Sequence, residues 1–383
     1  MSGVVKALAA KALIDAEQVL AEPLVFIEDG QVVRVSSLVA ESMPAGTLHL
    51  PECTLTPGFL DIHVHGAGGR DVMEGSPQAL QTVASMLAQH GTTRFLATTV
   101  TAPVELTLRS LDAIASQIEE EPLGGCADII GIHLEGPFLS HAKRGVHPPD
   151  ELQQPSVELF DRFQEAARGN IRLMTIAPEL PEALALITHA VATGVRVSLG
   201  HSDALATEAR AGIAAGATSA THTFNAMRGL TQREPGMLGV VLDDSDLYAE
   251  LICDGVHTTA EAVRLWLRMK GEKHALLVTD GMAATGMPDG EYMLGNLRAQ
   301  VRQGVATHEG ALAGSVLAMD RAVANVQTFT GCSLAAAVRM ASSNPANLLK
   351  ESPQTSAADF NIYNGRGERT GLLVRGQLLP TTF

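Results

Sequence analysis

From Leu55 onward, eight short apolar segments alternate with amphipathic stretches, and this alternation constrains the fold more than any other feature of the chain. The segments are GFLDIHVHG, RFLATTV, IIGIHLEG, IRLMTIAPE, RVSLGHS, SATHTFN, YAELICDG and ALLVTDG. Near-continuous apolar runs of this length suit parallel strands covered on both faces, not a sheet with one wet side. The stretches between them carry helix punctuation. Ser76-Pro77 offers a cap followed by a first-turn proline, Leu80, Val83 and Leu87 share one face, and Gly91 stops the run. A second helix is expected from Ser156, with Leu159, Phe160 and Phe163 inward and an end at Gly169; a third spans 259–271 and stops at Gly271. Eight such units in about 230 residues predict an α/β fold, a (β/α)8 TIM barrel, whose chemistry lies at the C-terminal strand ends.

The two ends of the chain read differently. PLVFIEDGQVVRVSSL reads as a hairpin turning at Asp29-Gly30, and AADFNIYNGRGERTGLLVRGQLL as further short strands. Residues 1–55 with 351–383 are therefore expected to form one small β domain, beside a catalytic barrel of residues 56–350. A chain of 383 residues with 46% hydrophobic content and scattered charge is a soluble globular protein. Its net charge of −15 argues against nucleic acid or an anionic membrane as partner. The apolar N-terminal stretch is interrupted by Lys11 and Asp15, and no run of 18 apolar residues occurs, so neither a signal peptide nor a membrane span is expected. Cys53, Cys126, Cys253 and Cys332 form no CxxC pair and read as reduced thiols, and the expected location is cytoplasmic.

Six residues at strand tips suggest chemistry: His63, His65, Glu135, His201, His222 and Asp280. Neutral imidazoles and carboxylates are what a borderline divalent ion such as Zn²⁺ takes as ligands. Strand residues two apart face one side, so His63 and His65 can point at one ion together. A single buried histidine is more often a hydrogen-bonded core residue than a ligand; six such residues on five tips make that reading untenable. Related barrels that hold two metals often bridge them with a lysine on the fourth strand. IRLMTIAPE has none, so Glu135 is assigned as the central, potentially bridging ligand, and His201 and His222 complete one ion's shell with a position open for water; the presence of both His63 and His65 allows a second ion. Asp280, which could otherwise serve as a helix cap, is assigned as the acid/base of a metal-assisted amide hydrolysis. His90, His133, His141 and His189 are left as structural, and Cys253 as a core residue. Two long segments, 137–155 and 281–315, read as binding or lid loops.

GIHLEGPF, KRGVH, LGHSDA, THTFNAM, REPG, DGVH, VTDG and LAGS together resemble the N-acetylglucosamine-6-phosphate deacetylase family of the amidohydrolase superfamily, over roughly residues 50–350. The resemblance implies hydrolysis of the acetamide of an amino-sugar phosphate in amino-sugar catabolism, a divalent metal expected to be zinc, and a homodimer. It implies Glu135, His201 and His222 as ligands of the main ion and Asp280 as acid/base. It also implies His147 at the substrate carbonyl, Asn225, Ala226, Arg233 and His257 on phosphate and sugar, and Leu312, Ala313 and Gly314 along the sugar pocket. Two alternatives stay open: the same reaction on another N-acetylhexosamine 6-phosphate such as the galactosamine epimer, and a non-catalytic sugar-phosphate-binding regulator. A cyclic-amide hydrolase is disfavoured by the missing fourth-strand lysine and by REPG.

Overall fold

A computed structural model of the chain describes residues 4–15, 18–120, 124–351 and 357–380. Parts of the two terminal segments assigned above to the small β domain (1–3, 16–17, 352–356 and 381–383) thus lie outside the described residues. Eight parallel strands form the expected barrel: β1 Phe59–Val64, β2 Thr92–Thr99, β3 Asp128–Glu135, β4 Ile171–Ile176, β5 Arg196–Leu199, β6 Ser219–Ala220, β7 Tyr248–Ile252 and β8 Ala275–Val278. Each pairs with its sequence neighbour in order. Just past the tips of β8 and β1 the ring closes through backbone bonds: the Asp280 N–H donates to the His63 carbonyl at 2.8 Å, and the His65 N–H to that of Gly281 at 2.8 Å.

The helices lie where the punctuation places them. Ser76 caps the helix Pro77–Gln89, whose Leu80, Val83 and Leu87 are buried. Ser156 caps Val157–Ala166, burying Phe160 and Phe163, but Leu159 is only partly buried against the core. The helix beginning at Ala260 loses helical geometry at Gly271, where φ is +63°. Such a conformation is open to glycine at little cost.

The N- and C-terminal segments meet in one sheet. Strand Leu48–Pro57 pairs in parallel with Ala7–Ile14 and antiparallel with Phe360–Tyr363, and Pro23–Glu28 turns at Asp29-Gly30 into Gln31–Ser37. Leu8, Val25, Leu55 and Leu373 are among the residues of its own apolar core.

The segment after β8 departs from expectation. In place of an irregular glycine-rich loop, residues 290–312 fold into a four-stranded antiparallel meander of Gly290–Leu294, Leu297–Arg302, Val305–His308 and Ala311–Leu312. Its Leu294, Ala299, Val301 and Ala306 pack on Met282, Ala283 and Ala313, with Val146 of the 137–155 segment against them. The glycines that suggested a loop are its turns: Gly295, Gly304 and Gly310 all have positive φ. Short period-two strands with turns this close together give little pattern to recognise.

Gly91 ties the two units together. Its carbonyl accepts from the Phe59 N–H at 2.9 Å and from the buried Asn361 side-chain amide at 3.0 Å. With φ of +84°, an added Cβ would lie 2.4 Å from the Asn361 Oδ1. Gly91→Ala is therefore expected to lower stability by more than about 1 kcal/mol, read as a lower urea midpoint at unchanged slope.

Candidate metal centre and its cavity

The six strand-tip residues converge on one point at the C-terminal mouth of the barrel. Glu135 ends β3, and its two carboxylate oxygens divide the histidines. Oε1 lies 3.2 Å from the Nε2 of His201 and 3.2 Å from that of His222, and those two nitrogens are 3.0 Å apart. Oε2 lies 3.3 Å from His63 Nε2 and 3.2 Å from His65 Nε2. The same two nitrogens are 3.4 and 3.2 Å from Asp280 Oδ1.

These spacings fit metal coordination. An ion about 2.0–2.1 Å from tetrahedral nitrogen and oxygen donors spaces them roughly 3.3 Å apart. Glu135 Oε1 and His63 Nε2 are moreover buried without any hydrogen-bond partner. Buried polar atoms are seldom left so unless something else satisfies them. Glu135, His201 and His222 can hold one ion. His63, His65, Asp280 and the second Glu135 oxygen can hold another, and the first three of these lie within ligand reach of one another.

Backbone geometry aims these groups inward. His201, His222 and Asp280 all have left-handed φ, at +47°, +29° and +50°. Each such non-glycine residue costs of order 1–3 kcal/mol, held here by the packing around it. The outer ring nitrogens are mostly fixed as well. His65 Nδ1 faces the Thr98 carbonyl at 3.1 Å, His201 Nδ1 the Lys143 carbonyl at 2.8 Å, and His63 Nδ1 the Glu250 carboxylate at 3.0 Å. A ring that donates from Nδ1 presents a lone pair at Nε2, the form a metal needs.

In the bare site, burial opposes charge on His63, but the Glu135 and Asp280 carboxylates outweigh it and raise its pKa well above the ordinary range. For His65 the same contest, with Asp280 and Glu135 on the favourable side, ends at about 9. Asp280 resists burial through His63 and His65 and falls to about 2. This is an anion-rich pocket that stabilises positive charge.

His147 approaches from the 137–155 segment, its Nε2 3.8 Å from Glu135 Oε2. The Thr101 N–H donates to its Nδ1 at 3.3 Å, and the Thr101 hydroxyl lies 2.7 Å from the same atom. The proton is thereby assigned to Nε2, facing the cavity. Burial and then His201 hold the ring well below its ordinary pKa, so it is a neutral donor.

The cavity above the centre has a volume of about 350 Å³ and is lined by His147, Asn225, Ala226, His257, Leu312 and Gly314, together with Lys143. The adjacent Ala313 is fully buried. His257 is held by Asp254, whose carboxylate lies 2.6 Å from its Nδ1. Arg233 is the exception: it is exposed, on the turn before the helix Gly236–Asp243, and does not line the cavity.

Three of the histidines left as structural have side-chain partners, while His141 is exposed. His133 is buried between the Ile62 carbonyl and the Thr175 hydroxyl, while His90 meets Asp320 and His189 meets Asp161. Burial and the nearby Asp254 push the Cys253 thiol up to about 12. Sequence reasoning passed over Glu250 and Asp61, both buried. Asp61 accepts from the Thr279 hydroxyl at 2.5 Å, clamping β1 to the tip of β8. The available signal was a charged residue inside an otherwise apolar strand.

The amidohydrolase family model matches residues 54–357, which takes in the whole barrel and every residue of the centre. The chain belongs to the amidohydrolase family. N-acetylglucosamine-6-phosphate deacetylase of Lysinibacillus sphaericus is 36% identical over 327 residues, covering 85% of this chain and 84% of the relative. N-acetylgalactosamine-6-phosphate deacetylase of Escherichia coli O157:H7 is 37% identical over 343 residues, covering 89% of each. A mutant of N-acetyl-D-glucosamine-6-phosphate deacetylase from Mycobacterium smegmatis, solved in complex with N-acetyl-D-glucosamine-6-phosphate, superposes with a TM-score of 0.91 at 34% identity, covering 98% of this chain and 99% of that one. Among the described residues, no helix is long and apolar enough to cross a membrane.

Because Glu135 faces all four histidines, Glu135→Gln is expected to lower bound divalent metal sharply, measured by elemental analysis after dialysis. Full occupancy in that variant would remove Glu135 from the ligand set.

Proposed function

We propose that the protein hydrolyses the acetamide of N-acetylglucosamine 6-phosphate to glucosamine 6-phosphate and acetate. The observation that carries this reading is one cavity that joins a Glu135-centred cluster of metal-type donors to the His257 side chain, in a chain whose relatives bear that activity in their names. Zinc is the ion we expect, since the donors are imidazoles and carboxylates at tetrahedral spacing. Held by Glu135, His201 and His222, with a second ion at His63 and His65, it would supply Lewis acidity toward the amide and the water.

The chain's own groups then divide the work. The His147 Nε2–H is the donor for the substrate carbonyl oxygen. Asp280, ionised at neutral pH, takes a proton from the attacking water; once protonated, it delivers that proton to the leaving nitrogen. Asn225, Ala226, Leu312, Ala313 and Gly314 shape the sugar pocket. His257 binds the phosphate: burial works against its charge, yet Asp254 outweighs this and raises its pKa. Arg233 keeps its phosphate role on the family resemblance, from outside the cavity wall. We read the catalytic unit as residues 56–350 with 1–55 and 351–383 forming the small β unit, and the protein as a cytoplasmic homodimer.

One rival has specific support, because relatives named for the glucosamine and the galactosamine phosphates are 36% and 37% identical to this chain. Assaying acetate release from both sugar phosphates with zinc present decides between them. Release from neither would favour a non-catalytic sugar-phosphate-binding protein.

Three further outcomes are expected. Asp280→Asn is nearly isosteric but cannot carry the proton, so kcat is expected to fall by ~10²–10⁴ with little change in KM; near-normal kcat would leave Asp280 a structural role. Arg233→Ala is expected to raise KM for the phosphorylated sugar by roughly 10–100-fold, as loss of a charge-assisted bond implies, with the unphosphorylated sugar unaffected. Finally, His257 is charged below its raised pKa and neutral above it. KM is therefore expected to climb as pH rises through that pKa, and His257→Gln to flatten the climb.

A further inference from the structure

We propose that Glu250 is a positioning residue for the second metal site: by holding His63 it makes the His63/His65/Asp280 group able to bind an ion. The inference rests on the reading that this group takes a second ion, and deepens it.

Glu250 is fully buried in β7. Its Oε2 lies 3.0 Å from His63 Nδ1 and accepts the backbone N–H of His222 at 3.3 Å, so one carboxylate touches a residue from each half of the cluster. Among the described residues, no other centre histidine is held in this way. His65 and His201 lean on neutral backbone carbonyls, and the His222 Nδ1 has no partner. A carboxylate behind an imidazole does two things that a carbonyl does less well. It fixes the proton on Nδ1, leaving Nε2 as lone pair, and it makes that lone pair a stronger donor. Here the Nε2 so prepared has no hydrogen-bond partner and faces Glu135 Oε2 and Asp280 Oδ1 at 3.3 and 3.4 Å.

Burying a carboxylate in an apolar strand is costly without a matching charge or donor. Glu250 Oε1 has none among the described residues, and its register partner on β8 is the apolar Leu276. A carboxylate placed only to brace the strand would engage both oxygens. This one spends its single bonded oxygen on the centre. The contact to His222 is to the backbone, so loss of Glu250 leaves the His222 ring free to serve the first ion with Glu135 and His201.

The test is a metal titration of chelator-stripped protein with Co²⁺ or Zn²⁺, followed by stoichiometry and by the affinity of each equivalent. Wild type is expected to take two equivalents. Glu250→Gln, which keeps the shape but loses the charge, is expected to keep the first at wild-type affinity and bind the second about 10–100-fold more weakly. Glu250→Ala is expected to weaken the second further. The melting temperature of each metal-free variant is recorded alongside. Two wild-type equivalents in Glu250→Gln overturn the proposal. So does parallel weakening of both equivalents with a lowered melting temperature of the metal-free protein, which marks a merely structural residue. A wild type that takes only one equivalent overturns it together with the second site. The titration uses no substrate, so a protein that binds two ions yet releases no acetate tells against the proposed reaction alone.

Discussion

The Glu135 carboxylate, buried between four imidazoles at the barrel mouth, is the interaction on which the rest of the site depends. Its two oxygens face two different histidine pairs at 3.2–3.3 Å, and one oxygen has no hydrogen bond at all. Such crowding of donors is unfavourable unless positive charge sits among them. The barrel provides the rigidity that keeps them there. Its closing backbone bonds run through His63, His65, Asp280 and Gly281, and the left-handed turns at His201, His222 and Asp280 hold their side chains inward against local preference.

Around this centre the outer contacts set protonation. His65 and His201 donate from Nδ1 to carbonyls and offer Nε2 to a metal. His147 is held the other way round by Thr101 and offers an N–H. Two histidine chemistries thus share one cavity, separated by which nitrogen the fold engages. The 290–312 meander closes the other wall through Leu294 and Leu312. In a chain of net charge −15, Lys143 and His257 stand on the cavity lining, each beside a carboxylate, Asp203 and Asp254.

Much of this was legible in the sequence because parallel strands buried on both faces leave unbroken apolar runs, and caps such as Ser76 and Ser156 mark the helices between them. What was less legible has particular causes. The meander was hidden by its own turn glycines. Leu159 lies at the margin of its helix's apolar face, where periodicity does not separate buried from half-buried. Glu250 and Asp61 sit among apolar neighbours in strands, and nothing local says that one reaches the ring of His63 and the other the tip of β8. Arg233 follows a family motif, yet its backbone runs outside the cavity wall.

By itself the sequence determined the barrel, the strand tips that bear metal-type donors and the pairing of His63 with His65, because strand alternation is a local property of the backbone. Only the tertiary structure decided that the two Glu135 oxygens serve different histidines, that Asp280 stands against His63 and His65, and that Glu250 reaches across from β7 to His63. Those contacts join residues far apart in the chain, 187 positions in the case of Glu250 and His63. Ring closure, not any local pattern, sets the few ångströms that coordination requires.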